Sequence, residues 1–255
     1  MTQSPSQFAW YELMTTDTEA AKAFYTKVVG WGSEPFAGMP YTIFKAGEAP
    51  VGGLMELPED ARKMGAPPHW IGYIVVDDVD AATDKARRLG GSVYVEPQDI
   101  PEVGRFSIAT DPQKAAFCLF KSASPAENPP APMGTPGHTG WHELYAVDWE
   151  KAFAFYSEMF GWQKAEALDM GAMGIYQLFS AGGAPIGGMF NKPAEMPVPA
   201  WLYYFTVADF DAATERLKNS GGKVINGPME VPGGAWIVQA IDPQGAMFAL
   251  TGMRN

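Results

Sequence analysis

One cysteine and three histidines are all that 255 residues offer of the side chains most often used for covalent and metal chemistry. Cys118, alone, cannot close an internal disulfide. His69, His138 and His142 leave no Ser-His-Asp constellation to assemble, and His142-Glu143 lacks the second histidine of a His-Glu-x-x-His zinc motif because position 146 is Ala. Positive charge is scarce as well. Against 29 Asp and Glu stand 18 Lys and Arg, a net charge of −11, which excludes the phosphate neutralisation that nucleic-acid binding needs. The same deficit works against an anionic membrane surface. No uninterrupted apolar run reaches the ~18 residues of a bilayer span. The polar stretch Met1 to Phe8 lacks the basic-then-apolar pattern of a secretory leader, so a cytoplasmic protein is expected. Neither a Walker A lysine nor a G-x-G-x-x-G run is present, so nothing suggests nucleotide-phosphate cradling.

What the chain does have, it has twice. Hydrophobic residues make up 47% and aromatics 13%, which excludes disorder. Trp10-Tyr11-Glu12-Leu13 returns as Trp141-His142-Glu143-Leu144, an offset of 131 residues. Asp17, Phe24-Tyr25 and Gly30-Trp31 return as Asp148, Phe155-Tyr156 and Gly161-Trp162. Trp70, Asp80-Ala81-Ala82-Thr83, Gly90-Gly91 and Asp111-Pro112-Gln113 also recur at that offset. Between these blocks Gly52-Gly53 meets Gly187-Gly188 at 135, so a four-residue insertion enters and is later cancelled. The chain is a tandem duplication. Its expected parts are a first domain at 1–121, a Pro- and Gly-rich linker at 122–140 carrying His138, and a second domain at 141–255.

Each copy reads as two strand-then-helix units followed by hairpins. Trp10 to Thr15 alternates as a strand, Asp17 is placed as a helix N-cap, Ala21, Phe24 and Val28 form an apolar stripe, and Gly30 supplies the stop. Trp70 to Val76 is a second strand, with Asp78 before a helix whose stripe is Val79, Ala82, Ala86 and Leu89. Asp111-Pro112 and Asp242-Pro243 fit the opening of a type I turn between closing strands. Four βαβββ modules result. The fold class is α+β, each half a pair of modules forming a cupped, mostly antiparallel sheet with helices outside.

These features together resemble the vicinal oxygen chelate superfamily, which includes glyoxalases, bleomycin-resistance proteins and extradiol dioxygenases. The resemblance rests on strand–Asp–helix with Phe-Tyr and Gly-Trp, on Val76-Asp77-Asp78-Val79-Asp80 leading to Gly-Gly, and on the closing Asp-Pro-Gln turn, and it spans nearly the whole chain. It implies small-molecule sites inside the cupped sheets, in metal enzymes built from ligands on the first and last strands of each module. The corresponding positions here are Trp10, Trp141, Ile71, Leu202, Cys118 and Ala249, with Glu56 a solitary further candidate. Indole and hydrocarbon side chains do not bind a divalent cation, so no metal ligands and no cofactor are expected. A divalent metal is the alternative if the ligand register is shifted. Which modules pair is left open.

Alternation puts Trp10, Glu12 and Met14 on one face of the first strand, and Trp141, Glu143 and Tyr145 on one face of its counterpart. Glu12 and Glu143 are the candidate acid/base residues, a carboxylate beside an indole being poised for such work. They could equally tie neighbouring strands together. Trp10, Met14, Tyr73, Trp141, Tyr145 and Tyr204 are the candidate ligand-binding residues. Trp70 and Trp201 are out of step with that face and read as core. Gly52-Gly53 and Gly187-Gly188 read as sheet-curling bulges or, less directly, as points of ligand approach. The chain is thus expected to be a metal-independent binder of a small apolar or aromatic molecule, monomeric or homodimeric, with a lyase, isomerase or hydrolase acting on a small carbonyl compound as the alternative.

Overall fold

A computed structural model describes residues 6–124 and 131–254. The first five residues of the polar N-terminal stretch and residues 125–130 of the expected linker lie outside the described residues.

The first module is β1 (Phe8–Thr15), α1 (Thr18–Val28), β2 (Gly32–Pro35), β3 (Tyr41–Ala46) and β4 (Ala49–Glu56). After a short helix, α2 (Glu59–Lys63), come β5 (His69–Val75), α3 (Val79–Arg88), β6 (Ser92–Ile100), β7 (Gly104–Thr110) and β8 (Ala116–Ser122). The second copy repeats them as β9 (Thr139–Ala146), α4 (Trp149–Phe160), β10 (Gln163–Asp169), β11 (Ile175–Ser180) and β12 (Pro185–Asn191). Its last module is β13 (Ala200–Thr206), α5 (Phe210–Asn219), β14 (Lys223–Glu230), β15 (Trp236–Ile241) and β16 (Met247–Gly252). Each copy forms one eight-stranded mixed sheet, ordered β2-β3-β4-β1-β5-β8-β7-β6 and β10-β11-β12-β9-β13-β16-β15-β14. The pairs β1/β4, β5/β8, β9/β12 and β13/β16 are parallel, and the hairpins antiparallel. None of the described helices is long and apolar enough to cross a membrane.

Local sequence explains the helix boundaries. Asp17, Asp78, Asp148 and Asp209 each accept a first-turn backbone N–H, from Ala20, Ala81, Lys151 and Ala212. At about 1 kcal/mol each, these caps fix where the helices begin. The stripe on α3 differs from the one expected from helical spacing. Thr83 is buried in place of Ala82, because its hydroxyl bonds the Val79 carbonyl at 2.7 Å and Ser107 Oγ at 2.6 Å. The four-residue insertion lies in the stretch from β10 to β11, where β10 is longer than β2 and the turn Gly171–Met173 follows it. The register recovers because α2, between β4 and β5, has no counterpart between β12 and β13.

Compactness divides the chain differently from the duplication. One unit takes the described residues within 1–9, 72–130 and 142–201, and the other those within 10–71, 131–141 and 202–255. Each unit therefore joins the first module of one copy to the second module of the other. In the unit holding α1 and α5, Trp70 Nε1 donates to Tyr25 Oη at 2.9 Å, and Tyr25 Oη donates to Asp242 Oδ2 at 3.0 Å. Asp242 Oδ1 accepts the backbone N–H groups of Gln244, Gly245 and Ala246. In the unit holding α3 and α4, Trp201 Nε1 donates to Tyr156 Oη at 3.0 Å. There Asp111 Oδ1 accepts from Gln113 and Ala115, its Oδ2 makes no well-formed hydrogen bond, and the Tyr156 hydroxyl favours its charged form. The recurring Phe-Tyr, Trp and Asp-Pro-Gln elements are thus the buried polar framework of the two units, and Trp70 and Trp201 are core, as their strand parity required.

The stretch preceding β9 is not a loose tether where it is described. Gly137 accepts Trp31 Nε1 at 2.7 Å and donates to the Thr206 carbonyl, while the His138 carbonyl accepts from Thr206. His138 is accordingly half-buried. On α5, Arg216 donates to the Lys27 and Val28 carbonyls and closes the C-terminus of α1.

Candidate functional site

The glycine pairs place aromatic rings over the first-module faces. In β4, Gly53 pairs with Glu12, and a Cβ on Gly53 would sit 1.7 Å from Tyr41 Oη. In β12, Gly188 pairs with Glu143, and a Cβ there would sit 2.2 Å from the Tyr176 ring. The bare glycines let these tyrosines lie flat beside the glutamates. Register shifts between Phe44 and Lys45, and between Phe179 and Ser180, put a bulge next to each glycine pair. Both jobs of the glycines are structural, and the space a ligand backbone contact would need at Gly53 and Gly188 is filled by tyrosine.

The first-copy face that results carries Trp10, Glu12, Met14 and Tyr41. Glu12 is 5% exposed, Met14 is buried, and Trp10 is half-buried with its Nε1 donating to Tyr41 Oη at 3.0 Å. The corresponding second-copy face carries Glu143, Tyr145, Tyr176 and Phe190. Glu143 is 7% exposed and accepts from Tyr176 Oη at 2.8 Å. Tyr145 and Tyr176 both pack on Phe190, with centroids 4.6 and 5.5 Å apart. Trp141 is half-buried on β9. Each glutamate is therefore a nearly buried carboxylate on an aromatic face, where a charge-assisted hydrogen bond is stronger than at a surface.

The second-module faces hold the other expected residues. Tyr73 is buried, stands in register with Cys118, and packs edge-on against Phe120 at 5.9 Å. Tyr204 is buried in register with Ala249, and its hydroxyl accepts from Gln239 Nε2 at 2.6 Å. Gln239 Oε1 in turn accepts from Asn226 Nδ2 at 3.1 Å. Tyr41, Tyr176 and Gln239 were not singled out in the sequence. The tyrosines were detectable only through the glycine pairs opposite them, and Gln239 only by comparing the two copies position by position.

The positions that would carry metal ligands are Trp10, Trp141, Ile71, Leu202, Cys118 and Ala249, of which Cys118 alone is a donor, a buried thiol directed to the Leu119 carbonyl. Glu56 is exposed at the end of β4. Among the described residues no three His, Cys, Asp or Glu side chains come together as a metal-binding set. The hydrocarbon and indole side chains at five of those six positions cannot bind a divalent cation.

His142 points away from the Glu143 face. It stacks on Phe8 with centroids 4.4 Å apart, and because Ile186 offers a carbonyl at 2.7 Å, Nδ1 carries the donated proton. Burial pushes the ring down to about 4, the backbone bond opposing only weakly. A folded-state value below the unfolded one means stability present above about pH 6.5 and lost as pH falls toward 4. The loss is roughly 3 kcal/mol when complete. The His142→Phe variant should therefore show a flatter melting temperature between pH 6.5 and 4 than the parent; parallel curves would show that this ring does not set the acid sensitivity.

The description "Glyoxalase/Bleomycin resistance protein/Dioxygenase superfamily" matches residues 7–119 and again 135–250. Among curated proteins, "Putative glyoxylase CFP32" of Mycobacterium tuberculosis is 35% identical across 94% of this chain and 92% of its own. The "Anthracycline biosynthesis protein DnrV" of Streptomyces peucetius is 30% identical across 99% of this chain and 95% of its own. Among solved structures, a Mn(II)-bound glyoxalase from Novosphingobium aromaticivorans aligns with TM-score 0.67 at 19% identity, covering 99% of this chain and 83% of that one. Homoprotocatechuate 2,3-dioxygenase from Brevibacterium fuscum aligns with TM-score 0.70 at 14% identity, over 100% and 83%. At such identities the structural likeness speaks for the fold.

Proposed function

Since the chain belongs to the Glyoxalase/Bleomycin resistance protein/Dioxygenase superfamily, we propose that it is a metal-independent member that binds a small, planar, largely apolar molecule against the Trp- and Glu-bearing faces of its two sheets. The observation that carries this reading is the second-copy face, where a nearly buried carboxylate held by Tyr176 sits among Tyr145 and Phe190. Aromatic walls supply stacking area, and one fixed polar group supplies orientation. The hydrocarbon and indole side chains at the positions of metal ligands support the metal-free part. A relative named for anthracycline biosynthesis supports a polycyclic aromatic ligand.

The Glu143–Tyr176 pair also favours a second reading. A carboxylate at 2.8 Å from a phenol is suited to moving a proton at the α-carbon or carbonyl oxygen of a small carbonyl compound. In that role Glu143, with Glu12 in the other copy, takes or returns the proton, and Tyr176 steadies the charge on the carboxylate.

Intrinsic tryptophan fluorescence, titrated with planar aromatic compounds, is expected to quench saturably. Protein purified without chelator is expected to hold far less than one equivalent of metal, with EDTA leaving binding unchanged. Stoichiometric nickel, zinc, iron or manganese would overturn the metal-free part, and no saturable quenching across the panel would overturn ligand binding.

A further inference from the structure

Each Asp-Pro-Gln turn carries a glutamine, and the two glutamines do different things. In the unit holding α3 and α4, Gln113 grips the start of α4. Its Nε2 donates to the Asp148 carbonyl and its Oε1 accepts from the Asp148 backbone N–H, both at 2.8 Å. Gln244, 131 residues on, lacks that grip. Its Oε1 is buried without a hydrogen-bond partner, and so is the hydroxyl of Ser220, the C-cap of α5. Exchanging the two ends of the amide would only leave a donor unpaired in the same place. Both residues line a cleft of about 390 Å³ beside α1, walled by Ala23, Phe24 and Pro243 and bordered by Lys27. That volume falls within the roughly 300–1,000 Å³ of small-molecule sites. Charge separates the two places as well. In the unit holding α3 and α4, Lys85 stands 3.9 Å from Glu158. The corresponding residues in the other unit are Arg216 and Lys27, two cations, and neither has a carboxylate partner among the described residues. Leu89 occupies the position of Ser220. One unit has hydrocarbon, a satisfied amide and a neutralised lysine, where the other gathers an unpaired hydroxyl, an unpaired amide and an ammonium around a cleft.

We propose that this cleft is a second binding site, for a small carboxylate that carries an amide, of the N-acyl amino acid kind. Lys27 and the Ser220 hydroxyl donate to the carboxylate, Gln244 Oε1 accepts the amide N–H, and Phe24 and Pro243 receive the acyl group. Rotation about the last carbon–carbon bond of Ser220 and of Gln244 turns each oxygen to the cleft. A polar atom buried without a partner is costly, so a ligand that supplies the partner returns that cost as affinity. The bond between ammonium and carboxylate is charge-assisted and the strongest of the set. Two helices and a turn build this site, not the strand faces that bear Glu12 and Glu143, so it does not depend on the reading given above.

The probe is hippurate, N-benzoylglycine, titrated into the full ¹⁵N-labelled chain. The side-chain amide resonances of Gln244 and the backbone resonances of Ser220 and Lys27 are expected to shift saturably. 4-Phenylbutyrate, which replaces the amide with methylenes, and hippuramide, which lacks the charge, should each bind about tenfold more weakly. Lys27→Glu and Ser220→Leu install the residues of the other unit and should each weaken hippurate about tenfold or more. Lys27 is exposed, so Lys27→Glu decides the matter if thermal melts show Ser220→Leu unfolded. Hippurate affinity unchanged in Lys27→Glu, or matched by 4-phenylbutyrate, overturns the assignment. So does a parent chain in which Gln244 and Ser220 do not shift. Shifts confined to the strands bearing Glu12 and Glu143 would place hippurate on those faces, which overturns this site and leaves the earlier reading standing. Planar aromatics that fail to quench tryptophan, while hippurate still shifts Gln244, remove the earlier reading and support this site.

Discussion

Replacing Asp242 with alanine should cost about 3–5 kcal/mol and lower the melting temperature by roughly 10 °C or more. Asp242 is 4% exposed, and its Oδ1 closes the turn by accepting three backbone N–H groups at 2.8–2.9 Å. Its Oδ2 holds Tyr25, which holds Trp70. Truncation orphans a buried phenol proton and opens the turn in one step, and an unmade buried hydrogen bond costs more than a made one gains. Asp242→Asn should fall between. It keeps an acceptor for the turn but turns an amide toward Tyr25, whose own proton then lacks a partner. Asp111→Ala should cost less than Asp242→Ala, because Asp111 Oδ2 has no well-formed counterpart of the 3.0 Å Tyr25–Asp242 bond. Thermal melts of the three variants check the order, and equal losses at 111 and 242 would show that the tyrosine bond adds nothing.

Both carboxyl groups are held above their ordinary value, chiefly by burial, with the turn N–H groups opposing. A raised folded-state value means stability that is full below the unfolded value and declines as pH rises through the folded one. At neutral pH the ionised carboxylates are therefore retained against a desolvation cost that their hydrogen bonds offset. His142 has the opposite sign, so the two effects act in overlapping acid ranges, and the His142→Phe comparison isolates one of them.

The local parts of the fold were readable in the sequence because their causes are local. Asp17 caps α1 through a residue three positions on, and Glu12 shares a face with Trp10 because strand side chains alternate. The roles of Tyr25, Trp70 and Asp242 were not readable, since their meeting depends on modules from different copies packing in one compact unit. Their recurrence marked the family without disclosing what they do. The same holds for Tyr41 and Tyr176: two glycines in a row look like a bulge in sequence, and only the paired register shows a ring lying over one of them. Nothing local marks the role of Arg216, because the carbonyls it closes belong to α1, 188 and 189 residues away.

Glu143→Gln should weaken ligand binding by about ten- to a hundredfold, the worth of a hydrogen bond to a charged, buried acceptor. Gln keeps the shape and can still accept from Tyr176, so the fold should survive and the loss should appear in affinity rather than in melting temperature. Tyr176→Phe should weaken binding less, by removing the group that orients the carboxylate but not the carboxylate itself. Glu12→Gln gives the parallel measurement in the first copy, where the aromatic partner Tyr41 is engaged by Trp10. The two readings of function separate on the double variant Glu12→Gln/Glu143→Gln. A binding protein loses affinity in the double variant and has no turnover to lose. An enzyme using these groups as acid and base loses turnover of a small carbonyl substrate by about a hundredfold or more. Turnover in the parent that persists unchanged in the double variant would reject the acid/base role, and quenching that persists unchanged would reject the glutamates as the polar handle, leaving the aromatic wall of Tyr145, Tyr176 and Phe190 as the part of the site that acts.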